Sequence, residues 1–157
     1  MTKSLTNTEF MTTKKEDLMK GALVGGFINA VINGAINWFQ VKGKTELFLT
    51  VDAISNKEHT VLGGAVMLAA SLAAILTLIS YFTVKSPQKP PFYPKALLLT
   101  LRNTFFAFGV MVSISIVIQR AAGSIAVSPI TGVLIVALVA GVVAGVVDYM
   151  TKKELLG

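Results

Sequence analysis

Residues 21–41 read GALVGGFINAVINGAINWFQV, an apolar run of bilayer-crossing length with amides at Asn29, Asn33 and Asn37. The four-residue spacing stacks three uncharged polar side chains on one face of a helix. Lipid would leave their hydrogen-bonding groups unsatisfied, so that face must meet another helix or water. Gly21 and Gly25 extend the same stripe, and Ala22, Gly26, Ala30 and Gly34 run beside it. Small residues at this spacing admit a second helix at close range, and asparagine can then hydrogen-bond across the contact. This reading places the helix inside a bundle with little lipid exposure.

Three further apolar runs follow, giving spans at about 21–41, 61–84, 96–119 and 129–150. Segments of roughly 20 to 25 residues, at about 1.5 Å rise per residue, cover a hydrocarbon core about 30 Å thick. The expected fold is therefore an all-α integral membrane protein, a four-transmembrane-helix bundle, as one membrane domain over 1–157 with a polar N-terminal tail, 1–20. Hydrophobic residues make up 54% of the chain and charged residues 14%, well short of the charge of a soluble domain. The polar start, Met1 to Lys20, lacks the pattern of a cleaved signal peptide.

Lysine and arginine set the expected orientation. Lys3, Lys14, Lys15, Lys20, Lys85, Lys89, Lys95, Lys152 and Lys153 fall on the side of the two termini, against Lys42, Lys44, Lys57 and Arg120 on the other. The positive-inside rule puts both termini in the cytoplasm, in a plasma (inner) membrane. Tyr81, Tyr93 and Tyr149 lie near the cytoplasmic boundary and Trp38 near the outer one, as in an aromatic belt. The excess of basic residues is thus explained by the membrane, and nucleic acid is not an expected partner.

The loops are short. In the first external loop, Leu47-Phe48-Leu49-Thr50-Val51 is β-prone and apolar, which predicts an extended piece leaning on the bilayer. The cytoplasmic connection Ser86-Pro87-Gln88-Lys89-Pro90-Pro91-Phe92-Tyr93-Pro94 reads as a stiff spacer. An internal echo is visible: Ser80-Tyr81-Phe82-Thr83-Val84-Lys85 resembles Asp148-Tyr149-Met150-Thr151-Lys152-Lys153, and Gly64 falls on Gly132 at the same offset. A genuine repeat would make the chain two helical hairpins related by an axis along the membrane normal. The first and third spans show no comparable match, so similar helix-end chemistry explains the echo equally well.

The polar residues inside the spans allow two readings. Three amides used as interhelical glue would contribute about 2 kcal/mol, at roughly 0.6 kcal/mol per bond. Alternatively, Asn29, Asn33 and Asn37 line a hydrated cavity open to the outside, with Ser71 and Ser113 at matching depths to complete the wall. The fourth span adds Ala137, Gly141 and Gly145, a second small-residue face. Two such faces exceed what one compact bundle needs, which predicts a homo-oligomer or a membrane-protein partner. Arg102 and Asp148 both lie in the cytoplasmic half, where they can form an intramembrane pair, or else a snorkelling arginine and a helix-end aspartate.

Catalysis finds little support. There is no cysteine, a single histidine (His59), and no nucleotide-loop or nucleophile-elbow pattern. Glu46, Asp52, Glu58 and His59 share a loop without recognisable ligand spacing, so neither a metal nor another cofactor is expected. The function that follows is binding or permeation of a small polar solute or ion through an asparagine-lined cavity. The alternative is a non-catalytic interaction or assembly subunit of a larger membrane complex.

Overall fold

The computed structural model describes residues 7–50, 60–85 and 89–156, with side chains from Lys15 onward. Four long helices carry the chain: α1 (Asn7–Val41), α2 (Val61–Thr83), α3 (Leu97–Ala122) and α4 (Pro129–Leu156). All four are long and apolar enough to cross a membrane. Two short strands, β1 (Leu47–Thr50) and β2 (Ile125–Val127), occupy the α1–α2 and α3–α4 connections. A π-helical turn over Phe92–Ala96 leads into α3. Asp52, Lys57, Glu58 and His59 of the first loop lie outside the described residues, as do Ser86 to Gln88 of the proline-rich connection.

Helix ends follow local chemistry. Gly43 and Gly123 have φ of 94° and 66°, the left-handed geometry that glycine adopts without a Cβ penalty. They turn the chain out of α1 and α3 and into the two strands. At the starts of α2 and α4, the Thr60 hydroxyl accepts from the Gly63 amide at 3.0 Å and the Ser128 hydroxyl from the Thr131 amide at 3.2 Å. Each cap satisfies one of the orphan amides of a first turn.

The helices pack in the order α1–α4–α2–α3, with α2 and α4 side by side in the middle. Their shared seam is built from alanine: Ala65, Ala69, Ala73 and Ala140 have no exposed surface. Above the seam, β1 pairs antiparallel with β2 across Phe48 and Ala126. The Thr50 hydroxyl donates to the Gly123 carbonyl at 2.6 Å, and Leu47 seats on Gly132 at the start of α4. The β-prone segment therefore does not rest on the bilayer alone; its partner is the other connection, which the sequence reading had not marked as a strand.

This arrangement has the symmetry that a repeat would require. Exchanging the two hairpins swaps α1 with α3 and α2 with α4. It maps the α1–α4 contact onto the α3–α2 contact, and it leaves the α2–α4 pair and the antiparallel β pair in place. The 68-residue offset also relates Thr60 to Ser128, the two capping residues, and Val61 to Pro129, the first residues of α2 and α4.

Three sequence expectations change. First, α1 is an edge helix whose packing partner is α4, so Leu23 (68% exposed) and Phe27 (72%) face outward. Second, α1 starts well before residue 21 and α4 continues past 150 to Leu156, because the polar flanks Thr12–Lys20 and Thr151–Glu154 contain no helix breaker. Third, the two small-residue faces use each other. A Cβ on Gly26 would lie 2.7 Å from the Gly141 carbonyl oxygen, and one on Gly145 would lie 3.2 Å from that of Ala22. Gly34 meets Ala137 in the same seam. Gly21 and Gly25, read as packing residues, have open space around them. The two small-residue faces thus meet within the chain, apart from the strip at Gly21 and Gly25.

Candidate functional site

Which way the asparagines point is decided by the α1–α4 seam. With Ala22, Gly26, Ala30 and Gly34 turned into α4, the Asn29–Asn33–Asn37 stripe is rotated to its flank and half-buried. None of the three bonds across to another helix. Asn29 Nδ2 donates to the Gly25 carbonyl and Asn33 Nδ2 to the Asn29 carbonyl, both at 2.9 Å and both within α1. The expected interhelical glue is therefore absent from these contacts.

At the end of the molecule that carries the β pair, a cavity of about 420 Å³ opens between α1 and α2. Asn33, Asn37 and Gln40 of α1 line it, with Lys44 beyond the helix and Thr60 at the α2 start. Val61, Gly64 and Leu68 form the opposite wall, and Val136 of α4 lies across the base. From Gln40 to Asn33 is seven residues, or about 10 Å along the helix axis. Among the described residues, the side chains of Asn37, Gln40 and Lys44 make no hydrogen bond or ion pair, so their polar groups remain available.

The cavity gathers only part of the expected wall. Asn29 lies one turn below Asn33 and does not line it. Ser71 and Ser113 are exposed elsewhere and bond back to their own helices, to Met67 and Leu68 and to Gly109 respectively. Below Asn33 the seam of α2 and α4 is apolar and closed, with Ala69 and Ala73 fully buried. A separate cleft between α3 and α4, with Leu62 of α2 beside it, holds about 490 Å³ and is lined among the described residues by apolar side chains.

A second polar group lies at the opposite end, among the termini and the α2–α3 connection. Asn103 of α3 is completely buried, and its amide nitrogen donates to Thr77 of α2 at 3.1 Å and to Thr151 of α4 at 3.0 Å. One side chain thus ties three helices. A turn further along, the Ser80 hydroxyl donates to Asp148 at 2.7 Å, and Lys152 holds the other carboxylate oxygen at 2.7 Å. Ser80 and Asp148, aligned by the internal echo, touch because α2 and α4 are parallel neighbours.

The expected Arg102–Asp148 pair does not form. Arg102 bridges instead to Glu154, six residues beyond Asp148, which the extension of α4 to Leu156 brings into range. Asp148 is already engaged by Ser80 and Lys152. Arg102 Nη2 also approaches Asn103 Oδ1 at 3.4 Å, which joins the surface ion pair to the buried clamp. Asn103, which follows Arg102 in the chain, is not among the residues that the sequence singles out. Thr77 and Asn103 lie at equal depth in spans 61–84 and 96–119, a signal for their contact, whereas Thr151 falls past the span 129–150 and joins the clamp because α4 runs on to Leu156.

Compared with protein-family models, curated proteins and solved structures, the chain matches none.

Proposed function

We propose that the protein binds a small polar solute in the cleft between α1 and α2, and that it is a binding protein rather than an enzyme or an open channel. The observation that carries this is the convergence of Asn33, Asn37, Gln40, Lys44 and Thr60 on one cavity, where the side chains of Asn37, Gln40 and Lys44 have no partner among the described residues. Amides present donors and acceptors together and suit a neutral or zwitterionic polar ligand. Lys44, the one charged residue among the described residues of the lining, favours a ligand with an anionic group. A cavity of this size matches a small molecule of roughly the lower end of ligand pockets. The closed apolar seam below Asn33 argues against continuous permeation in this conformation. On the positive-inside distribution of lysines, the cleft faces away from the cytoplasm.

The test is thermal stabilisation of the purified protein by a panel of small carboxylates, amino acids, polyols and sugars. A ligand at about a hundred times its Kd stabilises by about 2.7 kcal/mol, an easily resolved shift. At least one class is expected to stabilise the wild type, and Asn37→Leu together with Gln40→Leu is expected to abolish that shift while the unliganded Tm stays within a few degrees. Stabilisation that survives the double substitution would place the ligand elsewhere.

One observation favours the other reading, an assembly subunit. Gly21 and Gly25 leave an open strip on the flank of α1, where a helix of another protein could approach closely. That reading expects a co-purifying membrane protein that is lost in Gly25→Leu, with no solute effect at all.

A further inference from the structure

Near the chain termini, a cavity of about 360 Å³ is lined by Pro90, Lys95, Leu98, Leu99, Arg102, Glu154 and Leu155. Lys95 and Arg102 are seven residues apart, so they share one face about two turns apart, with Leu98 between them on the same face. Leu98 is 60% exposed. The surface therefore presents two cations separated by an apolar patch, at the end of a membrane-spanning helix.

Arg102 is held at this position from behind. Its Nη2 reaches both Glu154 and Asn103, and Asn103 is itself fixed between α2 and α4. Nη1 and Nε have no partner among the described residues, and the side chain is 49% exposed. A guanidinium presents a fork of donors matched to phosphate oxygens. Intramembrane arginine is costly unless partnered, and one exposed carboxylate, half in solvent itself, meets only part of that need.

We infer that this cavity is a binding site for an anionic phospholipid, its phosphate between Lys95 and Arg102 and its glycerol and first acyl carbons on the exposed Leu98. A free anion would satisfy the cations but would leave that apolar surface unused, whereas a lipid fits both parts of the lining. Glu154 then acts as an internal competitor for Arg102.

The competitor makes the test two-sided. Purified protein would be exchanged into bilayer nanodiscs of phosphatidylcholine with a minority of phosphatidylglycerol of the same chains, and the retained lipid read by native mass spectrometry. Wild type is expected to retain phosphatidylglycerol preferentially. Lys95→Gln and Arg102→Gln should each lower that preference about fivefold, the weight of one basic residue at a membrane surface. Glu154→Gln should raise it, because Arg102 is released to the lipid. Lys95 and Glu154 lie outside the buried clamp, so their variants decide the matter even where Arg102→Gln misfolds. Equal retention of the two lipids by wild type, or no gain in Glu154→Gln, would overturn the proposal. Displacement of the bound phosphatidylglycerol by millimolar inorganic phosphate would overturn it in favour of a soluble-anion site.

Discussion

Gly26→Leu is expected to detach α1 from the rest of the molecule, whereas Gly25→Leu, one residue earlier, is expected to change little. A Cβ on Gly26 would already lie 2.7 Å from the Gly141 carbonyl oxygen, a contact with backbone that no rotamer change relieves. Leucine there must separate two helices along the whole seam from Ala22–Gly145 to Gly34–Ala137. Overpacking of this kind costs on the order of 3 kcal/mol or more, because the obstacle is main chain. Nothing lies within 4 Å of the corresponding position on Gly25, so its leucine projects into open space and should stay within about 0.5 kcal/mol. Far-UV circular dichroism would miss the difference, since each helix persists in detergent. The single tryptophan, Trp38, is on α1 and reports its docking by fluorescence during denaturation with sodium dodecyl sulfate. Equal midpoints for the two variants would mean that the seam does not hold α1.

The second large effect concerns the clamp. Asn103→Leu keeps the branched outline of the side chain, at some cost in bulk, and removes both hydrogen bonds, to Thr77 and to Thr151. The Thr77 hydroxyl spends its own proton on the Ala73 carbonyl at 2.7 Å, so its oxygen would lose a buried partner. Two interhelical bonds at roughly 0.6 kcal/mol each, with the penalty of stranded hydroxyls, predict a loss of about 1 to 3 kcal/mol. Ser71→Ala is the control: Ser71 is exposed and bonds only to its own helix, and it should lose less than about 0.5 kcal/mol. The clamp also predicts non-additivity. Combining Asn103→Leu with Thr77→Val should cost less than the sum of the two, since the first change already removes the bond they share. Strict additivity would show that Thr77 and Asn103 act independently.

How much of this was legible in the sequence differs from element to element. The four helices could be read from hydropathy, because lipid leaves a spanning backbone few alternatives to helix. Neighbours were harder. Two stripes on α1 share the same four-residue spacing, and composition alone does not choose between them. The choice is made by Gly141 and Gly145, which accept only a partner as slim as Ala22 and Gly26. Once that stripe is taken, the asparagines fall to the side, so Asn33 and Asn37 reach a cavity and Asn29 does not. Arg102 was paired with the wrong acid for a related reason. The span was ended at the hydrophobic boundary, near Met150, while the helix itself runs on to carry Glu154. Strand β2 is three residues long, too short for a periodic signal, and exists because β1 lies beside it. The internal echo was visible only in α2 and α4, the pair at the centre of the arrangement. The helices that the exchange swaps, α1 and α3, pack by different means, one glycine-rich against α4 and the other clamped by an asparagine.

The account turns on a polar cleft that is wet from the β end down to Asn33 and closed beneath it. The chain has no cysteine, so single cysteines at Asn37, Asn33, Asn29 and Ala30 can be placed without other changes and treated with a membrane-impermeant maleimide. Labelling at residues 37 and 33, with none at 29 or 30, is the predicted result, and a polar solute that binds should slow it at both positions. Labelling that extends to 29 would mean a continuous aqueous path in place of a closed binding cleft, and protection at both 33 and 37 would mean that the cleft is packed shut.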